Sequence, residues 1–216
     1  MTTAQPMFRG DFEAHLTVRA DDPDSIDAFE TYAAAQGLKF IHIVLARGRT
    51  PGQPMVTVRS SGTYAAVRDS VDKLASRFAV DGFPVVRVKI EATPWTEGVP
   101  DSDERARALG EHYYFEHHVK LLLPQDYDTT ALATVAEPHS AHVSVNARRT
   151  RPDGRAERFI TQRCRLVGTP TAQSRLDSLL TALRAADLDI ASVEREFVVY
   201  DSDESLDAGW IVEERP

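Results

Sequence analysis

Two stretches decide how this chain folds: Phe12-Glu13-Ala14-His15-Leu16-Thr17-Val18 and Phe115-Glu116-His117-His118-Val119-Lys120-Leu121. Both alternate apolar or aromatic residues with polar ones, the period-2 pattern of a strand. Each is followed by a helical stretch. In the first, Pro23 opens the helix, Ile26 and Phe29 give an apolar stripe and Gly37 supplies the stop. In the second, Asp128 is the N-cap, Leu132 and Val135 face inward and Pro138 ends the run.

A second strand comes next in each half, Ile41-His42-Ile43-Val44-Leu45 and Ala141-His142-Val143-Ser144-Val145. Third strands follow at 55–59 and 159–166. Gly62-Thr63 and Gly168-Thr169 then introduce the clearest helices, with Thr169-Pro170 read as cap and first turn. Their stripes are Tyr64, Val67, Val71, Leu74 and Phe78, then Leu176, Leu179, Leu180 and Leu183. Last strands run over 85–91 and 193–200. The order βαββαβ therefore occurs twice, predicting an α+β protein of tandem duplicated ferredoxin-like units with antiparallel sheets. The boundaries are 8–92 for the first unit, 93–111 for a linker with a helical turn near Glu104–Leu109, and 112–216 for the second with its acidic extension. Trp210 and Ile211 in that extension predict that it packs back on the body.

Composition bounds the function. No apolar run approaches the roughly 20 residues that span a bilayer, and the single Cys164 excludes a disulfide framework and a thiolate-rich zinc site. A cytoplasmic protein is expected. The net charge of −8 argues against general nucleic-acid binding, which needs a basic field. Locally, Arg148, Arg149, Arg151 and Arg155 could hold an anion.

Side chains two apart on a strand share a face. Glu13, His15 and Thr17 therefore lie together, as do Glu116, His118 and Lys120, and the second strands are expected to add His42 and His142 with Ser144. The fourth strands add Arg87, Lys89 and Glu91, and Glu194 and Glu196. Helices cover one side of such a sheet, so the polar sides of the two units could close on each other around a polar cavity. The structural reading of these charges is an ion-paired interface, Arg87 and Lys89 against Glu194 and Glu196.

His15-Leu16-Thr17-Val18 and His142-Val143-Ser144-Val145 each resemble the His-x-Thr/Ser-hydrophobic motif of the two-histidine (2H) phosphoesterase superfamily. The resemblance implies a bilobal fold acting on a small phosphate ester or RNA end. Catalysis would fall to His15, Thr17, His142 and Ser144, with the imidazoles as general base and acid and the hydroxyls on phosphate oxygens. Lys120 stands where the second first-strand hydroxyl would be expected.

A second reading is a metal site drawn from Glu13, His15, His42, Glu116, His118 and His142, since imidazole and carboxylate suit zinc, iron or manganese. A third is a non-catalytic protein holding an anionic metabolite. No cofactor fingerprint is present, so the cofactor is unknown. The partner would be a small-molecule or phosphate-containing ligand, and predicted edge strands could pair between chains into a homodimer.

Overall fold

The computed structural model describes residues 7–148 and 151–211. Eight strands form one closed antiparallel barrel with its helices outside. The first half runs β1 Arg9–Val18, α1 Pro23–Ala35, β2 Lys39–Leu45, β3 Gly52–Thr63, α2 Tyr64–Val80 and β4 Val85–Ala92. Helix α3 (Asp103–Leu109) lies in the expected linker. The second half runs β5 Tyr114–Pro124, α4 Thr129–Ala136, β6 Ala141–Asn146, β7 Arg155–Arg165, α5 Thr169–Ala185 and β8 Ile190–Asp201.

Helix ends follow local chemistry. Asp22 caps α1 by accepting from Ser25 N at 2.9 Å, with Pro23 in the first turn. Asp128 caps α4 in the same way. For α5 the expectation is corrected: the N-cap is Gly168, and Thr169 spends its hydroxyl on Pro100 O at 3.1 Å.

Around the barrel the strands lie in the order β1-β3-β2-β6-β7-β5-β8-β4, with β4 returning to β1. Each half keeps the order fourth-first-third-second. The halves join edge to edge, β2 to β6 and β4 to β8. This replaces the expectation that the units stack face to face. Every strand has a neighbour on both sides, so the route to a homodimer through free strand edges is closed.

Closure separates two environments. Phe12, Leu16, Val56, Val88 and Ile90 point outward to α1 and α2, meeting Phe29 and Phe78 in one apolar core. Val119, Leu121, Val143 and Ile160 meet Leu132, Leu176, Leu179 and Leu183 in another. Each such side chain contributes about 1.5–3 kcal/mol on burial. The remaining face of each strand points into the barrel, and there the residues are charged.

The registers of the two halves correspond. Glu13 lies opposite Arg59 and Glu91, and Glu116 opposite Arg163 and Glu196. His15 lies opposite Thr57 and Lys89, and His118 opposite Thr161 and Glu194. Since both seams are antiparallel, the relation between the halves exchanges the two ends of the barrel.

The ends differ. One is filled by the segment after β8, as the apolar content of that segment predicts. A 3-10 helix, Glu204–Asp207, brings the Asp207 carboxylate onto Arg87 Nη1 and Nη2, both at 2.9 Å, and onto Gln53 Nε2 at 3.1 Å and Arg163. Trp210 follows, donating Nε1–H to Val143 O at 3.0 Å. Gly48 permits the close approach, since its φ is +117° and an added Cβ would stand 3.2 Å from Trp210.

Asp207→Asn should destabilise the protein by about 3 kcal/mol at neutral pH in urea titration. That is the low end for a broken buried pair, because Arg87 keeps Asp201 and Arg163 keeps Glu116. Burial alone would raise the Asp207 carboxyl, but Arg163 and Arg87 hold it below its ordinary range. Its contribution is therefore complete above the unfolded value near ~4 and is lost as pH falls through the lower folded one. The gap between variant and parent should narrow below pH ~4. Gly48→Ala should shift Trp210 fluorescence toward that of an exposed indole, with a cost of about 1–3 kcal/mol.

Candidate functional site

The other end of the barrel is open. A cavity of about 580 Å³ enters there, walled by Asp11, Glu13, Glu91, Glu194 and Glu196, with Trp95 on its rim at 72% exposure. Two arginines also border it. Arg59 is paired with Glu13 at 2.5 Å, and Arg195 donates to Gln173 of α5 at 2.9 Å.

Beneath the opening the charges form one connected network. His15 Nε2 donates to Glu91 Oε2 at 2.9 Å, and its Nδ1 shares a hydrogen bond with Thr57 Oγ1 at 2.9 Å. Lys89 Nζ bridges Glu91 Oε1 at 2.6 Å and Glu116 Oε1 at 2.7 Å. His118 mirrors His15: Nδ1 lies 3.0 Å from Thr161 Oγ1, and Nε2 stands 3.3 Å from both Glu116 Oε1 and Glu196 Oε2. Arg163 then links Glu116 to Asp207, and Arg87 links Asp207 to Asp201.

The network drives neighbouring groups apart. Burial opposes charge on His118, yet the hydrogen bonds with Glu116 and Glu196 outweigh it and push its pKa up to about 10. Burial would also raise Glu91, but Lys89 and His15 hold it well below the carboxylate range. Glu196 is raised, by burial first and then by the charge of Glu91. Two adjacent carboxyls held at opposite ends of their range, beside a protonated imidazole, make a local acid–base set.

The sequence-predicted residues divide accordingly. Glu13, His15, Glu116 and His118 all face the interior, as the alternation implies, and Thr17 lies there too, between Met55 and Arg87. His142 and Ser144 are inward and buried, but at the filled end: the His142 ring lies 6.0 Å from that of Trp210, and Arg47 Nη2 lies 3.3 Å from its Nδ1. His15 and His142 thus belong to different ends, with β3 and β2 between their strands.

His42 is a correction. It lies opposite Pro54, on the helix-facing side with Phe40 and Val44, and its Nε2 is buried without a hydrogen bond. Burial and then Arg148 lower its pKa. The residue matching His142 is Lys39, since these two lie opposite Thr161 and Thr57. Pairing His42 with His142 is off by three positions, and an odd shift reverses the face. His117 is buried, hydrogen-bonded to Gln162 Oε1 at 2.9 Å.

The arginine cluster does not converge on an anion. Arg148 pairs with Asp27, Arg151 with Asp153 and Glu157, and Arg155 with Asp189, while Arg149 lies outside the described residues. From the sequence, Glu91 is placed on the polar face and Glu196 in an ion-paired interface between the halves, and neither is named as a site residue. Their alternation was readable, but their position depends on a register shift in the β4–β8 pair at Ile90/Glu91. Glu91, His118 and Glu196 each present a ligand atom within 4.8 Å of the others.

No helix among the described residues is long and apolar enough to cross a membrane. No protein-family model matches the chain, and no curated protein matches it. Among solved structures it is similar to the acetolactate synthase small subunit from Thermotoga maritima, at 13% identity and a TM-score of 0.29. The alignment covers 88% of this chain and 95% of that one. At that score and identity, nothing of that protein's role transfers to this chain.

Proposed function

We propose that the open end of the barrel binds a small, positively charged ligand. The observation that carries this reading is the contrast between the two ends. At the filled end, Arg87 and Arg163 receive the chain's own carboxylate, Asp207. At the open end, Ser192 occupies the register position that corresponds to Arg87, and Glu194 the position that corresponds to Lys89. The open end thus presents a hydroxyl and a carboxylate where its counterpart presents a guanidinium and an ammonium group. That correspondence also supports descent of the two halves from one duplicated ferredoxin-like unit.

The cavity has the volume of a small-molecule site. Its field attracts cations and repels phosphate, which weighs against a phosphate ester as the ligand. Trp95 offers an exposed aromatic face at the rim, where a cation gains about 0.5–2 kcal/mol. The His15–Glu91 and His118–Glu196 pairs lie below and can exchange protons with whatever binds.

Calorimetric titration with spermidine, choline and agmatine, against inorganic phosphate and a 2′,3′-cyclic nucleotide, tests the reading. The cations should bind in a salt-sensitive manner, and Glu194→Gln should weaken them about tenfold, corresponding to one lost charge interaction of ~1.4 kcal/mol. Binding of phosphate or the cyclic nucleotide with no cation binding would overturn it. Trp95→Ala should weaken the aromatic-seeking cation, choline, by about 2- to 30-fold without changing thermal stability.

A further inference from the structure

We infer that the innermost occupant of this cleft is a divalent metal ion held by Glu91, His118 and Glu196, an assignment that rests on reading the cleft as a cation site. The three ligands come from β4, β5 and β8, consecutive around the barrel in the order β5-β8-β4. Donors about 2.1 Å from a shared ion stand ~3–3.5 Å apart in tetrahedral or facial arrangements. His118 Nε2 and Glu196 Oε2 already stand 3.3 Å apart. Glu91 completes the set, its ligand oxygen within 4.8 Å of the other two donors.

Two further observations point to an ion. Glu91 is 1% exposed, and its Oε1 accepts no directed hydrogen bond, although Lys89 Nζ lies 2.6 Å away as a counter-charge. Among the described residues, the connected network also contains six carboxylates, Glu13, Glu91, Glu116, Glu196, Asp201 and Asp207, against four permanent cations, Arg59, Arg87, Lys89 and Arg163. Leaving the two imidazoles aside, these fixed charges sum to minus two.

The surroundings suit such an ion. A bound ion would displace the Nε2 proton of His118, while Nδ1–H donates to Thr161 Oγ1 and keeps Nε2 turned toward Glu196. One imidazole and two carboxylates match manganese, iron or zinc. Glu91 and Glu196 line the cavity, so remaining coordination positions open to it.

The full chain, stripped with chelator, should bind one equivalent of Mn²⁺ by electron paramagnetic resonance, and Zn²⁺ should compete. The bound Mn²⁺ should show hyperfine coupling to an imidazole nitrogen, a readout on the parent protein that needs no variant. Glu196→Gln should lower affinity at least tenfold and Thr161→Val about tenfold, whereas His42→Ala and His142→Ala should leave it unchanged. Organic cations binding without stoichiometric metal would overturn the metal assignment while the cation reading stands. Failure of both classes would overturn both. Metal retained equally by Glu196→Gln and Thr161→Val, or lacking nitrogen coupling, would place it elsewhere and overturn the assignment.

Discussion

Side chains buried inside a closed eight-stranded barrel are cut off from bulk water, so each buried inward charge needs its counter-charge inside. The rest of this structure follows from that requirement. The helices take the apolar faces of the strands outside, and the polar faces meet around the axis. Lys89 lies between Glu91 and Glu116, Arg163 between Glu116 and Asp207, and Arg87 between Asp207 and Asp201. Each desolvated group is thereby paired, as a low-dielectric interior demands.

Much of the wall was legible before any coordinates. Period-2 alternation placed Glu13, His15, Glu116 and His118 on one face, because that periodicity is local. The element order was legible for the same reason. Closure was not: the β2–β6 seam is a ladder of only three residue pairs, between strands whose sequences carry no mark of each other. Nor was the meeting of Glu91 with His118 and Glu196, which depends on the register of β4 against β8 and on an irregularity within it. His42 shows how tightly register governs such inferences. Two histidines at similar places in two similar strands look equivalent, yet three positions of slip put one inside the barrel and the other against α1.

The near-symmetry of the halves gives its deviations meaning. Glu13 with Arg59 corresponds to Glu116 with Arg163, but the first pair is at an open end and the second is buried under Asp207. The segment after β8 distinguishes these environments. It inserts an acid because Arg87 and Arg163 await one. The segment after β4 instead leaves Trp95 at the rim of a cavity walled by carboxylates.

Stability alone does not account for a charged interior. Apolar residues of similar volume would fill a barrel at least as stably, since desolvating ion pairs costs about as much as their attraction returns. At the filled end the charges have a structural use, as they seat the terminal segment. At the open end, Glu194 and Glu196 line a space that no part of the described chain occupies. One end takes up the chain's own closing segment; the corresponding end stays acidic and hollow, and under the proposed reading a positive charge from outside completes it.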